Sequence, residues 1–154
     1  MNRRSWSVGL LALSVSALAA CTGLLTKESE PEKLFFAMKI EGGGQLLARP
    51  HLLGETGHKL SMRLVDPSQP AQSRLALELF PERDGEGYRL QLGVALADAE
   101  PQLGALSLMH AEERRLKLDG ERPLLVTVML MRVDSPEFEA WMELVRREQA
   151  TQSS

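Results

Sequence analysis

Apolar and polar residues alternate along most of the chain after Lys33. The longest alternating run is Tyr88–Leu96, in which every second residue is large and apolar and the residues between are Arg, Gln, Gly and Ala. A period of two is typical of a strand that buries one face, and it favours an antiparallel sheet. Four shorter runs have the same pattern: Leu34–Ile40, Leu60–Leu64, Leu75–Leu79 and Leu116–Leu118.

One further run and the turns between the runs indicate how the strands are arranged. Leu124–Met131 is apolar at nearly every position, which predicts a strand covered on both faces or lying centrally in a sheet. Asp84-Gly85 predicts a hairpin between the runs ending at Leu79 and beginning at Tyr88. Roughly seven or eight short strands at this spacing predict a mainly β fold, either a small antiparallel β-sandwich or an open barrel. The other turns are predicted at Gly42-Gly43-Gly44, Asp66-Pro67 and Asp119-Gly120.

The end of the chain changes to a helical period. Asp134-Ser135-Pro136-Glu137 offers a capping residue followed by a proline suited to the first helical turn. Phe138, Trp141, Met142 and Val145 then follow at positions i, i+3, i+4 and i+7, which is one helical face. We therefore expect a C-terminal amphipathic helix over residues 136–148 and a frayed tail at 151–154.

The first twenty residues have the layout of a secretory signal peptide. Arg3 and Arg4 precede Val8–Ala20, a stretch of apolar and small residues. Thirteen helical residues reach only about 20 Å, which is shorter than the ~30 Å hydrocarbon core of a bilayer. The sequence therefore favours export with cleavage. The arginine pair also suggests twin-arginine export, but Ser5-Trp6-Ser7 fits that signal poorly, so general secretion is expected.

The signal ends in Leu18-Ala19-Ala20-Cys21, and Cys21 is the only cysteine of the chain. This segment resembles the lipobox of bacterial lipoprotein precursors. The resemblance implies a diacylglyceryl group on the Cys21 thiol, cleavage after Ala20, and in Gram-negative cells a fatty acid such as palmitate on the new amine. The following residue is Thr22 rather than Asp, which by resemblance to enterobacterial lipoproteins implies the inner leaflet of the outer membrane. An ordinary signal peptide with a chance cysteine is the alternative.

These features divide the chain into a signal peptide (1–20), a lipidated cysteine with a short tether (21–32), and one β-rich periplasmic domain (33–150). The 154 residues carry a net charge of −3, with no basic excess of the kind that nucleic-acid binders need. We therefore expect attachment to a membrane through the Cys21 lipid and no binding of nucleic acid. One cysteine and three histidines exclude zinc fingers, iron–sulfur clusters and disulfide scaffolds within one chain.

The residues that could carry chemistry form no recognised motif. His51 and His58 are placed in a loop-like stretch, and no histidine has the spacing of a metal-ligand motif. The acidic turn at Glu82, Asp84 and Glu86 does not follow the EF-hand pattern. His110 lies far along the chain. No Gly-x-Ser-x-Gly elbow or phosphate-binding glycine loop is present, so we expect no enzyme, no metal and no cofactor.

Two weaker signals concern interactions. Phe35, Trp141 and Met142 form a candidate partner surface, and the alternative is that the helix packs over an open face of the sheet and buries them. Residues 45–64 resemble a segment of secretins, in which a short strand ending in Pro-x-Leu precedes a glycine turn and another strand. That resemblance implies a β-rich envelope module.

The sequence thus predicts a lipid-anchored, non-catalytic accessory or binding module that faces the periplasm and meets an unidentified envelope protein. One alternative is a carrier or sensor of a small apolar ligand, held in a cavity between Tyr88–Leu96 and Leu124–Met131. A third is an envelope hydrolase, which requires one of the histidines to meet carboxylates in a cleft.

Overall fold

A computed structural model describes residues 30–97 and 99–152. The predicted signal peptide, Cys21 and the first part of the tether lie outside the described residues. Within them the chain forms nine strands and one helix: β1 (Lys33–Gly42), β2 (Gln45–Ala48), β3 (His51–Glu55), β4 (Leu60–Asp66), β5 (Gln69–Asp84), β6 (Gly87–Leu96), β7 (Gln102–Leu108), β8 (Glu113–Leu118), β9 (Leu124–Arg132) and α1 (Pro136–Gln152).

The strands form two antiparallel sheets, which confirms the mainly β prediction. Sheet A has the order β2-β1-β9-β8, and β3 pairs with β1 on the same side as β2. Sheet B is the meander β4-β5-β6-β7. Short connections from β3 to β4 and from β7 to β8 join the sheets at their two edges without strand pairing. The molecule is therefore a small sandwich, with a strand order like that of an opened barrel.

The core is formed by the alternate residues of each strand that face inward between the two sheets. In β1 the residues that alternate from Leu34 to Ile40 are at most 4% exposed, and they face Val126, Val128 and Leu130 of β9. The inner residues of sheet B complete one continuous apolar core, as the alternation predicts. They are Leu75, Leu77, Leu79, Tyr88, Leu90, Leu92, Val94 and Leu108.

β9 lies between β1 and β8, in the interior of sheet A. Its inner residues belong to the core, and on its outer face Thr127 and Met131 are also buried, at 9% and 2% exposure. Burial on both faces accounts for the nearly continuous apolar sequence of Leu124–Met131 and confirms its predicted central position.

The predicted hairpins are present. β5 and β6 pair from Leu75↔Leu96 to Asp84↔Gly87, around a two-residue loop in which Gly85 has φ +59°. A positive φ at the first loop residue is the conformation that glycine adopts without steric cost. Gly43 and Gly44, with φ +59° and +75°, close the β1–β2 hairpin in the same manner.

The alternation of apolar residues does not single out three of the nine strands, β2, β3 and β7. The placement of His51 in a loop-like stretch is wrong, because His51 lies in β3 and pairs with Ala37. β2 and β3 follow each other along β1 and are separated at Arg49-Pro50. Proline has no N–H to donate to the ladder, but the Pro50 carbonyl still accepts a hydrogen bond from Met38 N at 3.0 Å.

α1 begins at Pro136 as predicted and extends four residues beyond the predicted end, to Gln152. The Ser135 hydroxyl caps it by accepting a hydrogen bond from Phe138 N at 3.2 Å. In the described ranges, no helix combines the length and the apolar composition that crossing a bilayer requires.

Candidate functional site

The first candidate surface lies where α1 meets the outer face of sheet A. The Phe35 ring lies 4.6 Å from that of Trp141 and 5.2 Å from that of Phe138, measured between centroids. His51 meets Trp141 edge-on at 5.0 Å. These tilted and edge-on arrangements are the favourable geometries for aromatic pairs. Phe35 is 5% exposed, whereas Trp141 and Met142 remain half-buried.

The start of α1 is attached to the sandwich by a second set of contacts. His110, in the turn between β7 and β8, lies with Nε2 3.0 Å from Glu137 Oε2. The other ring nitrogen, Nδ1, accepts a hydrogen bond from Arg132 N at 3.1 Å. The Ser135 hydroxyl donates to the Arg132 carbonyl at 2.6 Å. These bonds join the first turn of the helix to the end of β9 and to the β7–β8 turn.

The bonds of His110 determine what its ring can do. A backbone N–H only donates, so Nδ1 is the acceptor and the neutral ring carries its proton on Nε2, where it donates to Glu137. The hydrogen bond from His110, together with one from the Glu137 backbone N–H, lowers the pKa of Glu137 below its usual value. Because both ring nitrogens are engaged, this pair positions the helix and leaves no imidazole nitrogen free to accept a proton from a nucleophile.

The other predicted chemical residues stay apart. His58 lies in the turn after β3, with Nδ1 3.2 Å from the Thr56 carbonyl and 4.0 Å from Glu55. Glu82 contacts Gln91 at 3.3 Å, and Asp84 and Glu86 are exposed beside the Gly85 turn. Among residues 30–97 and 99–152, no three His, Cys, Asp or Glu side chains converge in a way that could hold a metal ion.

A polar cluster that the sequence did not indicate lies at the start of β1. Arg83 Nη1 donates to both carboxylate oxygens of Glu32, at 2.9 and 3.0 Å, and to the Tyr88 hydroxyl at 3.0 Å. The Tyr88 hydroxyl in turn donates to Glu32. The Arg83 guanidinium also lies over the Tyr88 ring, 5.0 Å from its centroid. Burial, followed by the hydrogen bond to Glu32, raises the pKa of Tyr88 to about 12.

This cluster joins the two sheets where the chain enters the domain. The Glu32 backbone also exchanges hydrogen bonds with Thr56, since its N–H donates to Thr56 Oγ1 and its carbonyl accepts from Thr56 N, both at 3.0 Å. Glu32 precedes β1 of sheet A, whereas Arg83 and Tyr88 belong to β5 and β6 of sheet B. The contacts hold the chain in place where it enters β1.

Several depressions border sheet B, among them one of about 720 Å³ between the β6–β7 connection and the β8–β9 turn. The outer face carries a shallow one of about 580 Å³, with Gly93 and the half-buried Phe80 among its lining residues and the Lys59–Glu78 ion pair at its side. A smaller cleft of about 160 Å³ lies between β2 of sheet A and sheet B. The cleft is lined by Leu47, Leu64, Val65, Arg74, Leu75 and Leu96.

The sequence gives only a partial signal for these features. The alternation predicts that Leu64 and Leu75 face inward, but it cannot show that the edge of the core stays open beside β2. The sequence places Glu32 in the polar run before β1, and a single glutamate there has no pattern that reveals a partner 56 positions away. Comparison with protein-family models, with curated proteins and with solved structures finds no significant match.

Proposed function

We propose that this protein is a lipid-anchored binding module of the bacterial cell envelope, held by an acylated Cys21 with its β domain in the periplasm. The signal layout and the Leu18-Ala19-Ala20-Cys21 motif support the anchor. Residues 22–32 could reach at most about 35–40 Å, so the domain stays close to the membrane. Anchoring raises the effective concentration of the domain for neighbouring envelope proteins.

The packed interior is the observation that supports a binding role rather than a carrier role. A carrier would need a chamber between β6 and β9. The inner side chains of Leu90, Leu92 and Val94 in β6 are at most 3% exposed, and those of Val126 and Val128 in β9 are fully buried. Side chains that pack this closely leave no space for a ligand between them. The outer surfaces are therefore the part of the domain that is available for binding.

The described polar clusters support a non-catalytic role. His110 meets a carboxylate, as a hydrolase requires, but its two ring nitrogens are occupied by Glu137 and by Arg132 N. The Ser135 hydroxyl donates to a backbone carbonyl rather than to the ring. This arrangement is suited to holding α1 and not to activating a nucleophile.

The anchor is tested by metabolic labelling with an alkyne-bearing fatty acid in cells that express the full chain. The Cys21→Ser variant should lose the label and accumulate as uncleaved precursor, whereas a matched Ser16→Ala variant should be labelled and processed normally. Label that persists on the Cys21→Ser variant would contradict the proposal. Thr22→Asp should keep the label but move the protein from the outer-membrane to the inner-membrane fraction of a density gradient.

The binding role is tested by cross-linking in cells followed by mass spectrometry. Repeated capture of the same envelope protein by the wild-type chain, and its loss when Cys21→Ser abolishes anchoring, would support the proposal. Native mass spectrometry without detergent provides the opposing test, because a stoichiometric small apolar molecule released from the domain would favour the carrier instead.

A further inference from the structure

The cleft between β2 and sheet B is an opening into the edge of the apolar core. Leu47 and Leu64 are each 38% exposed and Val65 is 47% exposed, while Leu75 at its floor is 3% exposed. The first three of these residues are among the eight large apolar side chains that remain exposed in the described part of the chain. Three of those eight side chains thus line one small cleft.

The size of the cleft restricts what can fill it. Its volume of about 160 Å³ is close to the ~150 Å³ apolar cavity that holds a single benzene molecule. One aromatic or leucine-sized side chain fits such a space. A fatty acyl chain needs several times that volume. The opening is therefore matched to one apolar side chain of a protein and not to a lipid tail.

Positive charge lies beside this opening. Arg74 lines the cleft, and Arg49 directly follows β2. Neither arginine forms an ion pair with a carboxylate among the described residues. The carboxylate of Asp66 accepts two hydrogen bonds from Ser68, which lower the pKa of Asp66, and the more distant charge of Arg74 lowers it further. A guanidinium group that makes no direct ion pair is suited to a carboxylate of a bound chain.

The backbone beside the cleft is also available. β2 pairs only with β1, and β4 pairs only with β5, so each has one edge without a strand neighbour. The two free edges border the same gap between the sheets. An extended segment can add its main-chain hydrogen bonds to such an edge while placing alternate side chains into a neighbouring pocket.

We propose that the cleft lined by Leu47, Leu64 and Arg74 is the docking site for an extended acidic segment of a partner protein, which inserts one large apolar side chain flanked by carboxylates. The proposal deepens the binding-module function above and names the chemistry of its partner. The cleft lies at the end of the sandwich opposite the start of β1, which is about 30 Å away along a ten-residue strand. An anchored domain would thus present it away from the membrane.

The test measures fluorescence anisotropy of a labelled Gly-Glu-Val-Glu-Phe-Glu-Val-Gly peptide titrated with the purified full chain in detergent. Arg74→Glu and Leu64→Ser should each weaken binding about tenfold or more, which corresponds to ~1.4 kcal/mol. Matched variants away from the cleft, Arg89→Glu on the outer face of β6 and Leu103→Ser on β7, should bind like the wild type. Replacing the peptide phenylalanine by serine, or its glutamates by lysines, should abolish binding.

Several results would overturn the proposal. Equal binding by the Arg74→Glu and Arg89→Glu variants would show that the peptide does not use this cleft. No binding by the wild type, together with a dimer in sedimentation velocity that Leu64→Ser dissociates, would assign the cleft to a second copy of the chain. Thermal melts identify variants that fail to fold, and the exposed Arg74→Glu change keeps the test independent of packing.

The two proposals fail separately. If cells capture an envelope partner equally well with wild-type and Arg74→Glu protein, the binding-module function stands and this docking site is wrong. If the purified chain binds the acidic peptide through the cleft but captures no specific partner in cells, the docking site is supported and the accessory role is wrong.

Discussion

At the scale of single residues, the hydrogen bonds of Glu32 and Tyr88 join the two sheets, which their positions in the sequence do not suggest. The Tyr88 side chain is 1% exposed, yet its hydroxyl reaches Glu32 and Arg83 at the end of the sandwich. A buried phenol with these partners keeps its proton, because ionisation would place a second negative charge beside the Glu32 carboxylate in a poorly solvated site.

Tyr88 is the only tyrosine of the chain, so ultraviolet absorbance near 295 nm reports its ionisation alone. We expect a pKa of about 12 instead of the usual value near 10.0. Because the fold raises this pKa, the stabilisation is present below pH ~10 and is lost as the pH rises towards 12. If Tyr88 titrates near its usual pKa of 10.0 while circular dichroism still shows a folded chain, the expected pKa shift is wrong.

Replacing the carboxylate tests the same cluster from the other side. Glu32→Gln should lower the free energy of unfolding by about 1–3 kcal/mol, since it leaves Arg83 without its charged acceptor. It should also bring the pKa of Tyr88 closer to 10. Urea unfolding measures the first effect, and Glu30→Gln, two residues earlier and exposed, is the control. If the urea unfolding curve of Glu32→Gln coincides with that of Glu30→Gln, the cluster contributes nothing to stability.

At the scale of elements, α1 depends on its first turn and on one row of aromatic contacts. Within the helix no residue is fully buried, and its contacts with the sheet run through Phe138 and Trp141. A helix held by so narrow a face relies on its cap and on the His110–Glu137 contact to fix its direction. The fold therefore has one peripheral element that can loosen before the sandwich does.

Removing the cap should uncouple α1 from sheet A. Ser135→Ala deletes the hydroxyl that bonds Phe138 N and the Arg132 carbonyl, and a lost cap costs about 1 kcal/mol. In a Trp6→Phe background Trp141 is the only tryptophan, so its emission reports undocking. We expect a red shift at lower urea than the loss of β-sheet signal. Ser61→Ala, on the exposed face of β4, should leave both transitions unchanged.

At the scale of the whole molecule, the two sheets approach each other closely at both edges, and one edge also carries the cleft. On the β7–β8 side a Cβ at Gly104 would lie 2.6 Å from Leu118 Cδ2 and 2.7 Å from Leu116 Cδ2, so the strands pack with no space to spare. On the other side a Cβ at Gly54 of β3 would clash with Leu60 Cδ1 of β4. Farther along that same edge, the apolar residues beside β2 surround an open cleft. The opening is thus local to β2, because the same edge is closely packed at β3.

The β7–β8 contact at Gly104 should therefore tolerate no added volume. Gly104→Val should destabilise the fold by about 1–3 kcal/mol, because the new side chain meets the inner leucines of β8. Ala105→Val, the next residue along β7 and exposed on the outer face, is the matched control and should unfold like the wild type. Similar midpoints for the two variants in urea would show that this edge is looser than the contacts indicate.

The strand class, the main hairpins and the capped helix follow from the sequence itself. Alternation from Leu34 to Ile40 fixes which side chains face inward, because a strand places successive residues on opposite faces. The glycines at 43 and 85 fix the turns by their positive φ. Lipid attachment at Cys21 is also predicted from the sequence alone. It depends on a short motif that the processing enzymes recognise in the unfolded precursor, and the Cys21→Ser variant tests it.

Tertiary structure alone decided which distant residues meet. Glu32 finds Arg83 and Tyr88 only after the sheets stack, and β2 and β3 become strands only because β1 offers them an edge. The open cleft at Leu64 has the same origin, because a local pattern states which face is apolar but not what covers it. Contacts of this kind depend on how the sheets are brought together, which no single segment encodes.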